Sequence, residues 1–268
     1  MTPDDTDRFP PIFVINLPRD SARRQSMAAR LDRLGHPYRF VDAVDGRALD
    51  QQSYDQRLRR RYFGRELTSG EVGCLLSHKR VCEIICQEKI PFAIVLEDDA
   101  VLAEKFSSVI AALLRCSDKW DLVRFVGSPK IHARGFRRLL PLVENFWLIR
   151  LPTTPGGSHA YLLSGAAAEK LGWHLGCSFL PMDILQGWSW RTGLETLAVF
   201  PTLASQDVHS GTTIGEDRFS KQLSLQGLDR LLFPLRRFLY KTRDGWGKKK
   251  TWLGSIYRDH MTRKAAGR

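Results

Sequence analysis

Acidic residues are in short supply in this 268-residue sequence: 29 Asp and Glu stand against 41 Lys and Arg, for a formal net charge of +12. That imbalance favours an anionic partner, whether nucleic acid, acidic lipid or a phosphorylated substrate. Apolar stretches of about 20 residues, the length that spans a bilayer, are missing. The opening MTPDDTDRFPPIFVIN has neither a basic n-region nor an apolar h-region, so no signal peptide is expected. Cysteine is sparse as well. Five cysteines, an odd number without a short repeating pattern, argue for free thiols in a reducing compartment rather than a disulfide framework. Internal repeats, low-complexity segments and a Pro/Gly linker are also lacking. The expectation is a soluble or peripheral cytoplasmic protein, 43% hydrophobic and long enough for one well-buried domain.

What is present reads as alternating strands and helices. Strands are expected at Ile12 to Asn16, Tyr38 to Val41, Phe92 to Leu96, Leu122 to Val126, Phe146 to Leu151, Ala160 to Leu163 and Thr196 to Phe200. Between them, Asp20 or Ser21 is positioned to cap a helix that Gly35 stops, and Thr68-Ser69-Gly70-Glu71 is a capping box opening a helix to about Glu88. Phe106 to Leu114 is helical in pattern, and Ser164 caps the Ala-rich GAAAEKLGW. The basic segment Gln51 to Arg65 reads as a loop or short surface helix. This order predicts an α/β class protein, a single-domain α/β/α sandwich with a Rossmann-like, mostly parallel sheet. Its ligand site belongs at the carboxyl ends of the strands.

Glu97, Asp98 and Asp99 stand at such an end, directly after the apolar run Phe92 to Leu96 and before Ala100 to Leu102. Three adjacent carboxylates repel one another unless a positive charge offsets them. Such a cluster suits a hard divalent cation with oxygen ligands, or it forms a solvated acidic turn. Arg23 and Arg24 follow the first strand near a helix start, a position suited to phosphate or nucleotide, and the spacing leaves open which of them faces inward. Cys74, His78, Cys82 and Cys86 recur every four residues, but one helix face cannot wrap four ligands around zinc. They read as a core-packed stripe.

Five segments, in order, resemble glycosyltransferase family twenty-five, a bacterial family that includes lipooligosaccharide galactosyltransferases. VINLPRDSARR is similar to its first strand and Arg-bearing helix start. LTSGEVGCLLSHKRV followed by AIVLEDD resembles its Gly-Glu, Ser-His and acidic motifs. HAYLLSGAAAEKL, PMD and PTLASQDVHS resemble its Tyr-containing strand, its Pro-x-Asp and its late Gln-acid-x-His segment. The likeness runs from about Ile12 to Ser210. It implies a GT-A fold that binds a nucleotide sugar, with the triplet as a variant of Asp-x-Asp in which Glu97 takes the first position. Mn²⁺ or Mg²⁺ held by Glu97, Asp99 and His209 would then offset charge on the departing UDP, His209 being either a metal ligand or a phosphate contact. The resemblance further implies donor contacts from Asn16, Leu17, Arg23, Arg24, Glu71, Ser77, His78 and Asp98. Acceptor contacts fall to Tyr161 and Gln206. Asp183 is the candidate general base for an inverting transfer, with a helix N-cap as its bland alternative.

After about Asp217 the composition turns basic, with interleaved Leu, Phe, Trp and Tyr, dividing the chain into a catalytic part, 1–217, and a C-terminal segment, 218–268. Leu228, Leu231, Leu232, Leu235, Phe238 and Leu239 follow helical spacing among Arg230, Arg236, Arg237 and Lys241. That pattern suits an anionic membrane surface or a helix packed on the domain, and Pro234 argues against one straight helix. The functional expectation is a metal-dependent, inverting hexosyltransferase at the cytoplasmic face of the inner membrane, moving galactose from UDP-galactose to a lipid-linked saccharide of lipopolysaccharide type. A nucleic-acid-binding protein is the alternative from charge, although no nucleic-acid motif is visible and no nucleic-acid partner is expected. A Mg²⁺ phosphohydrolase using the same carboxylates is the third reading.

Overall fold

The computed structural model describes residues 9–50, 54–125, 135–153, 156–207 and 225–266, with side chains to 260. In chain order the elements are β1 (Ile12–Asn16), α1 (Ser21–Asp32), β2 (Tyr38–Asp42), α2 (Arg57–Phe63), α3 (Ser69–Gln87), β3 (Phe92–Glu97), β4 (Ala100–Leu102) and α4 (Phe106–Leu114). Then come β5 (Leu122–Arg124), β6 (Arg137–Pro141), β7 (Trp147–Arg150), β8 (Ala160–Ser164), α5 (Gly165–Gly176), α6 (Met182–Gln186), α7 (Ser189–Thr192), β9 (Thr196–Phe200), β10 (Ala204–Gln206) and α8 (Gly227–Ala266).

Eight strands form one sheet in the order β2-β1-β3-β8-β5-β9-β7-β6. Strand β1 is parallel to β2 and β3, and β5 to β9, whereas β8 and β7 run against their neighbours. Alternate residues of a strand face opposite sides, and here both sides are buried. Phe13, Ile15, Val95 and Tyr161 meet Leu75, Ile85 and Leu171 of α3 and α5. Ile12, Val14, Ile94 and Leu96 meet Leu31 and Ile110 of α1 and α4. The result is an α/β/α sandwich with a mixed sheet.

The local signals hold where side chains carry them. Thr68 accepts from the Glu71 amide while the Glu71 carboxylate accepts from the Thr68 amide, completing the capping box. Ser164 caps α5 through Ala167. Gly64, at φ 74°, ends α2 in the left-handed region that glycine occupies at little cost. Three short strands were not legible. Strand β6 is the sheet edge and reads RRLLP without alternation, while among the described residues β4 and β10 pair only with each other. Val126 lies outside the described residues, as does the expected boundary at 217/218.

Helix α8 is continuous and packs on the domain, one of the two placements that the sequence leaves open. It runs unbroken through Pro234, although a proline there donates no bond to the carbonyl of Arg230 and its ring crowds that carbonyl. It is docked on the domain between Arg237 and Asp259. Tyr240 stacks on Tyr62 with ring centres 5.1 Å apart, and Arg237 lies 4.3 Å over the Phe63 ring. Asp244 accepts from the indoles of Trp188 (2.7 Å) and Trp190 (3.0 Å). At the far sheet edge, Asp259 pairs with Arg137 and Arg150. Helix α2 is the short surface helix expected of this segment, with Arg57, Leu58, Arg60 and Arg61 exposed, and α8 covers only the side that carries Tyr62, Phe63 and the buried Arg59.

Candidate active site

A cleft of about 760 Å³ opens at the carboxyl edge of the sheet. The registers that pair Ile15 with Glu97 and Asn16 with Asp42 bring the ends of β1, β3 and β2 side by side there. One wall is the loop after β2, drawn against α3. Gly46 packs so closely on the Ser69 carbonyl that a side chain would collide with it, and a Cβ on Gly73 would lie 2.6 Å from the Val44 carbonyl. Ser77 seals this contact, accepting from the Val44 amide at 2.8 Å and donating to the Gly73 carbonyl. Its hydroxyl is spent on shaping the wall.

The three carboxylates of the triplet each have different surroundings. Glu97 accepts from the Ser158 hydroxyl at 2.6 Å and lies 3.4 Å from Nε2 of His78. Burial alone would raise its pKa, but His78, Ser158 and His159 outweigh that and hold it below the usual carboxylate value. Asp98 accepts from Asn16 at 2.8 Å and from Arg23 at 3.0 Å. Burial is the larger effect there, and its pKa is raised. Among the described residues, Asp99 receives a single side-chain hydrogen bond, from Gln206 at 3.2 Å, and its Oδ1 is buried without a partner. Burial and the neighbouring Glu97 and Asp98 push Asp99 up to about 6. Among the described residues, Arg23 and Gln206 offset the charge of Asp99 only in part, and within the triplet its pKa is raised furthest.

Arg23 reaches Asp98 inside the cleft, whereas Arg24 pairs with Asp42 at 3.8 Å over the Phe40 ring on the outer surface. The inward residue is Arg23. Leu17, Glu71, Ser77, His78 and Gln206 line the cleft, although the Glu71 carboxylate is occupied by the capping box and by Arg65 at 3.4 Å. Asn16 is buried behind the wall, where it holds Asp98. Tyr161 does not line the cleft. It is fully buried, its hydroxyl 2.9 Å from Nδ1 of His78, so it orients that ring instead of meeting an acceptor. His209 lies outside the described residues.

Asp183 opens the short helix α6 after Pro181. Its Oδ1 accepts from the adjacent Ile184 amide at 2.8 Å, while Oδ2 faces Gly157 in the cleft, 3.4 Å from its amide. The N-cap alternative does not hold, since Pro181 occupies the cap position and no side chain caps the helix. Beneath it, Arg124 at the end of β5 is fully buried, donates to the Gly157 carbonyl and carries its charge towards Asp183. Arg19, Arg47, Arg59 and Arg65 add positive charge to the walls, and burial pushes Arg59 down to about 10, so it remains charged at neutral pH. The sequence does not single out these arginines or Ser158 as site residues, and Cys74, expected in a core-packed stripe, lines the cleft instead. RLRRRYFGR was the only signal, and its periodicity does not reveal that α8 covers one side of it.

An α/β/α sandwich with acidic and guanidinium groups meeting at the carboxyl edge of its sheet is a GT-A-like arrangement. Residues 9–185 match the family model described as glycosyltransferase family 25 (LPS biosynthesis protein), and the chain belongs to that family. It is similar to the probable inactive glycosyltransferase 25 family member 3 of Rattus norvegicus, 28% identical over 229 residues, 76% of this chain and 39% of that protein. It is similar, too, to procollagen galactosyltransferase 1-A of Xenopus laevis, at 29% over 62% of this chain and 28% of the relative. Procollagen galactosyltransferase 2 of Homo sapiens is 28% identical over 61% of this chain and 27% of its own length. The chain spans well under half the length of these relatives.

Proposed function

We propose that this protein transfers a hexose, galactose from UDP-galactose, to the hydroxyl of a saccharide acceptor with inversion at the anomeric carbon. The observation that carries the reading is Asp99: a buried, unpartnered carboxylate oxygen facing an arginine-rimmed cleft, in a chain of family 25. Such an atom fits a cation. Asp99 with Glu97 would hold Mn²⁺ or Mg²⁺, which when bound supplies Lewis-acid assistance to a leaving diphosphate.

The remaining work falls to side chains of the protein. Arg19, Arg47 and Arg65 on the rim attract and orient the donor's phosphates. Arg23, engaged with Asp98, keeps the triplet's middle carboxylate from adding to the repulsion. Asp183 accepts the acceptor's hydroxyl proton as the new glycosidic bond forms and the bond to the diphosphate breaks, the electron pair leaving with UDP. Gly157 and Arg124 hold Asp183 in place for that step.

The acceptor in this reading is a lipid-linked saccharide of lipopolysaccharide type, met at the cytoplasmic face of a bacterial inner membrane. The outer side of α8 supports it: Leu228, Leu231, Leu235, Phe238, Trp246 and Tyr257 are exposed, beside exposed Arg230, Lys241, Lys249 and Lys250. That pattern suits an anionic lipid surface. Thermal melting with a panel of nucleotides and nucleotide sugars, with and without Mn²⁺, tests the donor. A ligand of the folded state raises Tm by mass action, and no shift from any uridine diphosphate compound rejects the reading. Release of free sugar without acceptor would instead favour a hydrolase.

A further inference from the structure

At the floor of the cleft, Cys74, His78 and Glu97 bring a sulfur, an imidazole nitrogen and a carboxylate oxygen within 4.8 Å of one another. Cys74 and His78 stand four residues apart on α3 and so share one face of the helix. Glu97 approaches them from the end of β3. The four-residue spacing of cysteines on α3 does not by itself make a zinc site. The third ligand here comes from a different element, and Cys82 and Cys86, respectively buried in the core and exposed, take no part.

A second observation points the same way. Nε2 of His78 is buried without a hydrogen-bond partner and faces this trio, with Glu97 Oε1 at 3.4 Å. The other ring nitrogen is 2.9 Å from the Tyr161 hydroxyl. A histidine tied at one nitrogen to a fixed polar group, with the other left for a cation, is the arrangement that orients metal-binding imidazoles.

We propose that Cys74, His78 and Glu97 form a site for a thiophilic divalent cation of the Zn²⁺ class, with its fourth position open to the cleft. Sulfur and imidazole ligands favour Zn²⁺ over the hard cations that suit carboxylates alone, and three protein ligands with one open position is a common zinc arrangement. On binding, the Cys74 thiol loses its proton to solvent and the sulfur becomes the ligand. Zn²⁺ bound here occupies Glu97, which the proposed transfer uses with Asp99. The consequence is inhibition of transfer by Zn²⁺, and this consequence alone rests on the proposed function.

Co²⁺ titration of the reduced full-length protein tests the site directly, since a cobalt–thiolate bond gives a charge-transfer band. One equivalent should produce the band, and Zn²⁺ should bleach it. Cys74→Ser should abolish it, whereas the double variant Cys86→Ser/Cys177→Ser should keep it. Tyr161→Phe should keep the band but weaken binding by roughly 10–100-fold. In the unaltered protein, Zn²⁺ should shield Cys74 from alkylation in peptide mass spectra while Cys177 stays reactive. Absence of the band, its survival in a folded Cys74→Ser protein, or Cys74 alkylation unaffected by Zn²⁺ would each overturn the proposal.

Discussion

Arg23 donates to Asp98 across 3.0 Å, on the opposite side of the carboxylate from Asn16, so the middle charge of the triplet is offset by the protein itself. Both side chains are largely buried, at 17% and 10% exposure, while Arg24 beside them is 44% exposed. Removing one partner of a buried pair strands the other charge. Arg23→Gln should therefore cost roughly 3 kcal/mol, and Arg24→Gln less than about 1 kcal/mol. Urea unfolding of the two variants separates them, and equal losses would contradict the inward assignment of Arg23.

Asp99 carries a signed pH dependence. Its pKa in the folded protein is raised to about 6, so its contribution to stability is fully present below the unfolded carboxylate value near 4 and is lost as pH rises through 6. Without metal, Asp99→Asn should be more stable than the unaltered protein at pH 7, by an amount of order 1–3 kcal/mol. Below about pH 4 the difference should close. Mn²⁺ binding by the unaltered protein should weaken as pH falls through 6, because a proton competes for the ligand. Melting curves across pH, with and without Mn²⁺, measure both effects. A pH-independent Asp99→Asn difference would remove the argument.

Loss of the base should spare the donor. Asp183→Asn keeps an oxygen for the Ile184 amide but cannot accept a proton, so kcat should fall by about two to four orders of magnitude. UDP affinity, measured by calorimetry, should stay within about threefold. A matched loss of donor affinity would reassign Asp183 to donor contact.

Helix α8 should bind membrane with one side and stabilise the domain with the other. Replacing Leu231, Leu235 and Phe238 with Ser should leave Tm nearly unchanged but release the protein from anionic liposomes at low salt in co-sedimentation. A chain ending at residue 217 uncovers Tyr62, Phe63, Trp188 and Trp190 and strips Arg137 and Arg150 of Asp259. It should melt lower by roughly 6–12 °C, given that 1 kcal/mol corresponds to about 2–4 °C at this size. Failure of the intact protein to bind anionic liposomes would end the membrane reading, and normal melting of the shortened chain would contradict the docking of α8.

The course of the backbone was legible along the chain because its causes are local. Thr68 and Glu71 cap α3, Ser164 caps α5, and the buried runs of β1 and β3 read directly as strands. The acidic triplet was legible for the same reason, as a run of charge at the end of an apolar strand. Partners were not, because they come from distant segments: Arg23 reaches Asp98 over 75 positions, and Tyr161 reaches His78 over 83. Only the packed sheet decided that Arg23 and not Arg24 faces the triplet, that Tyr161 supports His78 from the core, and that Glu97 completes a set of ligands with Cys74 and His78. Periodicity can show that α8 has an apolar face. Whether that face meets the domain or the solvent is settled by what the rest of the fold presents to it, and Asp244 and Asp259 turn the opposite face inward by pairing with tryptophans and arginines brought together by the fold.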